Sequence, residues 1–423
     1  MVQLPHSLLG RVLPRRAQQL IEDALADTRV VLVNGARQCG KSTLVAQVAR
    51  QTGAAWFTLD RPDTLKAARH DPVAFVRSAP TMIIDEVQRA PELFLAMKEL
   101  VDADPVPGRF LLTGSARVLG LRGLPDAIPG RMETIELWPL SQGEIDTRKE
   151  GLVEALFTGD PINYTSQTDR DDYIARMTRG GFPDAVAREG LRRERFFESY
   201  VADLINRDVM QLSTIESGHR MRTLVELLSG RMGQVFTIAG LARSLGLSQQ
   251  TVERYVTLLE EVFLIKRIPG WGGVNVRATS SPKLMFVDSG IAAMMLGVDE
   301  ASLRRINGPI GPLLENFVAA EIARQITWAP QRIELFHYRT RDQVEVDILL
   351  RNRRHQFVAI EVKASATAHP DDFRGIRHLQ ARLGDDLVAG IVLYLGQQTL
   401  PFGDGLRAVP VAALWEVSGS SSD

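Results

Sequence analysis

Cysteine is nearly absent, with one residue, Cys39, in a chain of 423. A single thiol closes no disulfide within the chain and builds no cysteine-based zinc centre, which fits a reducing compartment and a cytoplasmic location. Charge of one sign is lacking too. The 50 Lys and Arg are balanced by 51 Asp and Glu for a formal net charge of −1, so no global field draws the chain to nucleic acid or to an anionic membrane. Any such contact is local. No uninterrupted run of about 18 apolar residues occurs, so no membrane-spanning helix is expected. The opening MVQLPHSLLGRVLPRRAQQL mixes apolar residues with arginines and has no small-residue cleavage site, so it does not read as a signal peptide.

Hydrophobic residues at 45% and charged residues at 24% place the chain among folded globular proteins. Its length exceeds what one core serves, so two to about four units are expected. Between residues 29 and 137 the β-rich runs RVVLVN, AWFTLD, TMIID, RFLLTG and METIEL alternate with helical patterns. That alternation predicts an α/β unit with a mainly parallel sheet, spanning residues 1–140. Residues 141–230 turn helical. RRERFFESYVADLINRDVMQL places Phe196, Phe197, Tyr200, Val201, Leu204 and Ile205 at a period near one helical turn, as in a helical lid. EGLVEALFTGDPINYTSQTDRDD reads there as a long loop.

Residues 231–300 run FTIAGLARSLG, a turn at Leu247 and Ser248, QQTVERYVTLLEEV, then FLIKRIP and KLMFVD around a glycine-rich hairpin. Helix, turn, helix and wing is the winged-helix order, with Ser248 as N-cap of the second helix. Residues 301–416 open with the helix GPLLENFVAAEIARQI and continue through the strand-like ELFHYRT, VEVDILL and FVAIEVKA to a helix around residues 373–383 and the strand AGIVLYL. Residues 417–423 read as a disordered tail.

GARQCGKS fits G-x-x-x-x-G-K-[ST] after an apolar strand and before an apolar-periodic helix. Such a P-loop turns its backbone N–H groups toward phosphate oxygens, and the following helix N-terminus adds positive potential. Gly35, Ala36, Arg37, Gln38, Cys39, Gly40, Lys41, Ser42 and Thr43 are therefore the expected ATP-binding residues. Lys41 is assigned to the β- and γ-phosphates and Ser42 to Mg²⁺. TMIIDE puts Asp85 at a strand end as a magnesium ligand, beside Glu86 as the base that activates water. Thr113 and Ser115, closing RFLLTGS, are placed near the γ-phosphate or the attacking water. Arg131 and Arg207 fit either a transition-state charge given to a neighbouring subunit or an ordinary salt bridge. Cys39 reads as a small tolerated side chain.

GARQCGKSTL, LDRPDTLKAARHDP, IIDEVQRAPELF, RFLLTGSA, PGR and WPLS, in that order, resemble the N-terminal half of the bacterial and archaeal AAA-type ATPases that carry a C-terminal domain of unknown function 4143. GGFPDAV, KLMFVDSG and GPLLENFV extend the resemblance over nearly the whole chain. It implies an AAA+ P-loop core, supports the roles given to Lys41, Ser42, Asp85 and Glu86, and implies a homo-oligomer with a trans arginine, which favours Arg131.

A second candidate site lies near the C-terminus. Glu315 falls on a helix, Asp347 ends VEVD, and Glu361 and Lys363 share one strand face. Carboxylates in such a cluster suit Mg²⁺, and a lysine there orients or activates water near a phosphodiester. The spacing resembles PD-(D/E)xK nucleases, the superfamily in which the family's C-terminal domain is grouped. An exposed structural sheet or an inactive interaction platform fits the same residues. Arg351, Arg353 and Arg354 in RNRRH fit phosphate contacts or a soluble turn, and Gln249, Gln250, Thr251, Arg254 and Tyr255 fit nucleic-acid contacts, while Val252, Val256 and Leu259 belong to a core. The leading expectation is an ATP-fuelled machine that binds or cuts DNA or RNA. The runner-up is an ATP-dependent switch that recruits a protein partner, and a small-molecule kinase is a weaker third.

Overall fold

The computed structural model describes residues 12–115, 130–159, 162–209, 218–272, 281–305 and 308–419. Helix α1 (Ala17–Asp27) leads into β1 (Val30–Gly35), followed by α2 (Lys41–Thr52), β2 (Ala55–Thr58), α3 (Pro62–His70), α4 (Pro72–Val76), β3 (Met82–Asp85), α5 (Leu93–Ala103), β4 (Phe110–Gly114) and β5 (Met132–Leu137). The five strands are parallel in the order β2-β3-β4-β1-β5. β1 is buried along its whole length, as its unbroken apolar run requires for a strand covered on both faces. Val31 and Val33 pack with α1 and α2, whereas Val30 and Leu32 join Phe94 and Met97 of α5 on the other side. This places the loop after β1 at the C-terminal edge of a two-faced sheet, where α/β proteins bind ligands.

Helices follow: α6 (Gln142–Asp146), α7 (Leu152–Thr158), α8 (Arg170–Arg179), α9 (Pro183–Val186), α10 (Gly190–Asp203) and α11 (Gly218–Ser229). The aromatic-rich period is realised in α10 and the wider turn Leu204–Val209, with Phe197, Tyr200, Val201, Leu204 and Ile205 in the core. The expected long loop is half helix. Leu152, Val153, Leu156 and Phe157 form a buried face on α7, and the glycines at 151 and 159 bound that helix rather than break it.

The next stretch holds α12 (Ile238–Leu245), α13 (Gln249–Glu261) and the antiparallel pair β6 (Ile265–Ile268) and β7 (Lys283–Phe286). Thr237 and Ser248 cap the two helices by accepting the N–H groups of Gly240 and Thr251, each at 3.1 Å. Most of the expected glycine-rich hairpin, residues 273–280, lies outside the described residues. Of the side chains proposed for nucleic-acid contact, Gln249, Gln250 and Arg254 are exposed, but Tyr255 is buried beside Val252, Val256 and Leu259. Tyr255 is a core residue, because it shares the buried helix face of Val252, Val256 and Leu259.

Helices α14 (Ser289–Met295), α15 (Glu300–Leu303) and α16 (Ile310–Thr327) lead to β8 (Ile333–Arg339), β9 (Glu345–Asn352), β10 (Phe357–Lys363), α17 (Arg374–Leu383), β11 (Leu387–Tyr394), β12 (Leu400–Gly403), β13 (Leu406–Pro410) and α18 (Ala413–Glu416). The six strands form one mixed sheet in the order β12-β13-β11-β10-β9-β8. α16 is buried nearly all round, Asn316, Glu321, Arg324 and Gln325 included, as expected of a helix enclosed by its neighbours. Its Asn316 amide accepts from Phe286 N–H at 2.7 Å and donates to Phe286 O at 3.2 Å, tying β7 to the C-terminal unit. Gly151 N–H donates to Val417 O at 2.9 Å, so the expected tail is held at its first residue, and residues 420–423 lie outside the described ones. Among the described residues, no helix is long and apolar enough to cross a membrane.

Candidate nucleotide site and a second carboxylate cluster

The loop between β1 and α2 is shaped by two glycines. A Cβ on Gly35 would stand 2.1 Å from Leu137 O, and Gly40 adopts φ +103° as it opens α2, a conformation that side chains avoid. Lys41 is 4% exposed, and its ammonium donates to Gly35 O at 2.9 Å and Ala36 O at 2.8 Å. It is thus folded across the concavity of the loop. Cys39 is buried, with its thiol facing Leu137 O at 3.5 Å, which suits a packing role and leaves no open face for nucleophilic chemistry.

Asp85 ends β3 and gathers three hydroxyls. Ser42 donates to its Oδ1 at 2.9 Å, Thr113 to the same oxygen at 2.6 Å, and Thr58 to Oδ2 at 3.3 Å. Parallel pairing sets Thr58 opposite Asp85, so Thr58 joins the site from a neighbouring strand, a role that local sequence did not reveal. Glu86 follows at φ 60°, a left-handed conformation costly for a non-glycine residue. Its N–H donates to Thr113 Oγ1 at 2.9 Å, while its carboxylate accepts from Gln88 Nε2 and, at 3.2 Å, from Ser115. Gln88 also donates to Ser115 Oγ at 2.8 Å. Gln88 and Ser115 therefore fix the carboxylate of Glu86.

A cleft of about 480 Å³ opens over the loop, lined among others by Gly40, Lys41, Thr43, Glu86, Leu140 and Pro183. Arg37 and Gln38 also border it. Pro183 comes from α9, so the helical segment closes one wall. Arg15, another wall residue, donates to Cys39 O at 2.8 Å, Trp138 O at 2.6 Å and Glu144 Oε1 at 3.1 Å. Arg131 is not brought to this cleft. It pairs with Asp102, and its carbonyl accepts Val30 N–H at the opposite end of β1, about 17 Å along the strand from Gly35. Arg207 is exposed and pairs with Asp203 at 3.6 Å.

Three known families match successive parts of the chain: an AAA domain over residues 27–146, a domain of unknown function (DUF8612) over 170–302 and a domain of unknown function (DUF4143) over 310–414. The uncharacterised protein Rv2008c of Mycobacterium tuberculosis is 30% identical over 404 residues, covering 94% of this chain and 83% of that protein. This chain belongs to the same family, the AAA-type ATPases that carry DUF4143. The uncharacterised protein MJ1637 of Methanocaldococcus jannaschii is 22% identical over 307 residues, covering 65% of this chain and 64% of that one. Among solved structures, the Walker-type ATPase paby2304 of Pyrococcus abyssi is 13% identical, with a TM-score of 0.43 and 70% and 99% of the two chains covered.

The DUF4143 part of this AAA-type ATPase holds the second cluster. Glu315 on α16 and Asp347 on β9 do converge, joined by Glu345, but on an ammonium. Lys283 of β7 lies 2.8 Å from Glu315, 2.8 Å from Glu345 and 2.9 Å from Asp347. Burial opposes charge on Lys283, yet Asp347, Glu315 and Glu345 together raise its pKa. Burial and the charge of Asp347 push the Glu315 carboxyl up to about 8. Glu361 pairs with Lys363 at 2.9 Å and is pushed to about 7, first by burial and then by Asp347. Lys283 was missed in the sequence, where KLMFVD reads only as a strand beside the glycine-rich hairpin. Arg351 pairs with Glu334 at 2.6 Å, leaving Arg353 and Arg354 exposed in the turn.

Proposed function

We propose that this protein is a Mg²⁺-dependent ATP hydrolase whose nucleotide state acts on a macromolecular partner. The observation that carries the reading is the convergence of Lys41, Ser42 and Glu86 on one cleft, with Asp85 and Thr113 bonded to Ser42 and Glu86 behind them. In this reading the N–H groups from Gly35 to Gly40 and the start of α2 take the phosphates. Lys41 exchanges the carbonyls of Gly35 and Ala36 for phosphate oxygens. Ser42 Oγ and Asp85 Oδ1, 2.9 Å apart, are oxygen donors of the kind Mg²⁺ takes, and both would hold it. Bound there, the ion neutralises phosphate charge. Glu86 accepts the proton of the attacking water, and the bonds it takes from Ser115 and Gln88 restrain that carboxylate in the absence of a partner.

The remaining units transmit that state. Residues 141–230 act as a helical lid, supported by Pro183 and Asp184 in the cleft wall. The pair α12 and α13 with β6 and β7 acts as a winged helix, and α16, β8–β10, α17 and β11 as a PD-(D/E)xK-like unit. A homo-oligomer would offer Arg131 to a neighbouring cleft. DNA or RNA is one partner, met by Gln249, Gln250, Arg254, Arg353 and Arg354. The second reading is a switch that recruits a protein, favoured by the position of Lys283 where a nuclease would need its metal.

Phosphate release by the full chain, with Mg²⁺ and no small-molecule acceptor, tests the reading. Turnover that DNA, RNA or a protein partner accelerates is expected. Turnover only when a small-molecule acceptor is supplied would replace it with a kinase.

A further inference from the structure

The carboxylate cluster of the C-terminal sheet contains its own cation. Lys283 is 1% exposed and is not a passing surface side chain. Its backbone pairs with Ile268 in β6 and bridges Val235 on the other edge, so β7 is held on both sides. Three residues further, Asn316 of α16 binds both backbone groups of Phe286. Nearby, Trp271 N–H donates to His337 O at 2.8 Å and His337 N–H to Pro269 O at 3.0 Å, which sews the segment after β6 to β8. The ammonium is therefore delivered by a strand whose position is fixed independently of the charges it meets.

Its ammonium donates to Glu315 and Asp347 and makes a third ion contact with Glu345. Lys283 has three N–H bonds, and Glu315, Glu345 and Asp347 lie at 2.8, 2.8 and 2.9 Å. The second oxygen of Asp347 accepts Val362 N–H at 3.0 Å, and Lys363 answers Glu361 at 2.9 Å. The space left beside Lys283, Glu315 and Asp347 is about 10 Å³, room for at most one water. Mg²⁺ keeps several waters, so these residues do not fit it. Among the described residues, no group of three or more His, Cys, Asp or Glu is arranged to hold a metal ion.

We propose that Lys283 takes the place of a divalent cation in this cluster, making it a metal-independent latch between the β6–β7 segment and the C-terminal sheet instead of a hydrolytic centre. A latch centred on one buried ammonium fixes the relative position of the two units, because separating them would strip Lys283 of all three carboxylates. The C-terminal domain then moves with the helix–turn–helix segment as one body. It contributes surface to a partner and no phosphodiester chemistry. The proposal is independent of the ATP site, and Lys41→Ala leaves it untouched.

Mn²⁺ binding to the nucleotide-free full chain tests it, followed by titration and by the shift in unfolding temperature between EDTA and millimolar Mn²⁺. Wild type is expected to show neither Asp347-dependent Mn²⁺ binding nor an Asp347-dependent shift, and to cleave no DNA or RNA. Lys283→Ala is expected to gain Mn²⁺ binding and a Mn²⁺-dependent rise in unfolding temperature, both lost in Lys283→Ala with Asp347→Asn. Wild-type Mn²⁺ binding, or Mn²⁺-dependent cleavage, that disappears in Asp347→Asn and persists in Lys41→Ala overturns the proposal. A folded Lys283→Ala that binds no Mn²⁺ overturns it as well. Should Lys283→Ala not fold, the wild-type and Asp347→Asn comparison decides alone.

Discussion

Arg15 and Glu144 stand 129 residues apart in the chain and meet at 3.1 Å, with side chains only 7% and 3% exposed. The same guanidinium holds Cys39 O inside the phosphate loop, and the same carboxylate accepts the backbone N–H groups of Arg16 at 2.7 Å and Ser141 at 3.1 Å. One ion pair thus links the loop to the start of α6, which leads into the helices that wall the cleft.

Removing Arg15 leaves Glu144 buried with one partner fewer. Arg15→Ala is expected to destabilise the protein by about 3 kcal/mol, the usual cost of breaking a buried pair, and to weaken nucleotide binding because Cys39 O loses its anchor. Urea unfolding of Arg15→Ala, Glu144→Gln and the double variant measures the coupling. Additive losses in the double variant would show that the pair does not act as a unit.

Gln88 donates to the carboxylate of Glu86, the proposed base. Gln88→Leu removes that donor while keeping a side chain of similar size, so basal phosphate release is expected to rise severalfold. A fall in basal release, with nucleotide affinity unchanged, would instead make Gln88 a residue that aims Glu86 for catalysis. Steady-state kinetics without any partner distinguishes the two.

The phosphate loop was legible in the sequence because strand, turn and helix N-terminus are consecutive, and the place of Asp85 and Glu86 because an apolar run ends on them. Lys283 was not, since its partners lie 32 and 64 residues away and burial is set by α16 and β9. Arg15 stands in the sequence only among the arginines of the opening segment, and the approach of Glu144 and Trp138 O is what buries it. Tyr255 and α7 failed for a related reason: the face a side chain takes, and whether glycines bound or break a helix, depend on what packs against it.

Stability should fall as pH rises. Burial, then the neighbouring charge of Glu321, pushes the Glu150 carboxyl from 4.5 up to about 8, against the bonds from Ser141 and Gly143. A carboxyl raised in the folded state favours folding fully below its unfolded pKa, and that contribution is lost as pH climbs through the folded value. The urea midpoint is therefore expected to drop between about pH 5 and about pH 9, and Glu150→Gln to flatten the drop. An unchanged slope in Glu150→Gln would assign it to other groups.

The central claim is that one cleft binds ATP through Lys41 and hydrolyses it through Glu86. It is tested most directly by measuring nucleotide affinity and phosphate release in parallel for wild type, Lys41→Ala and Glu86→Gln with Mg²⁺. The account predicts lost or severely weakened binding in Lys41→Ala. In Glu86→Gln it predicts near-normal binding with turnover reduced about a hundredfold or more, the scale of a general base. Wild-type turnover in either variant would contradict it.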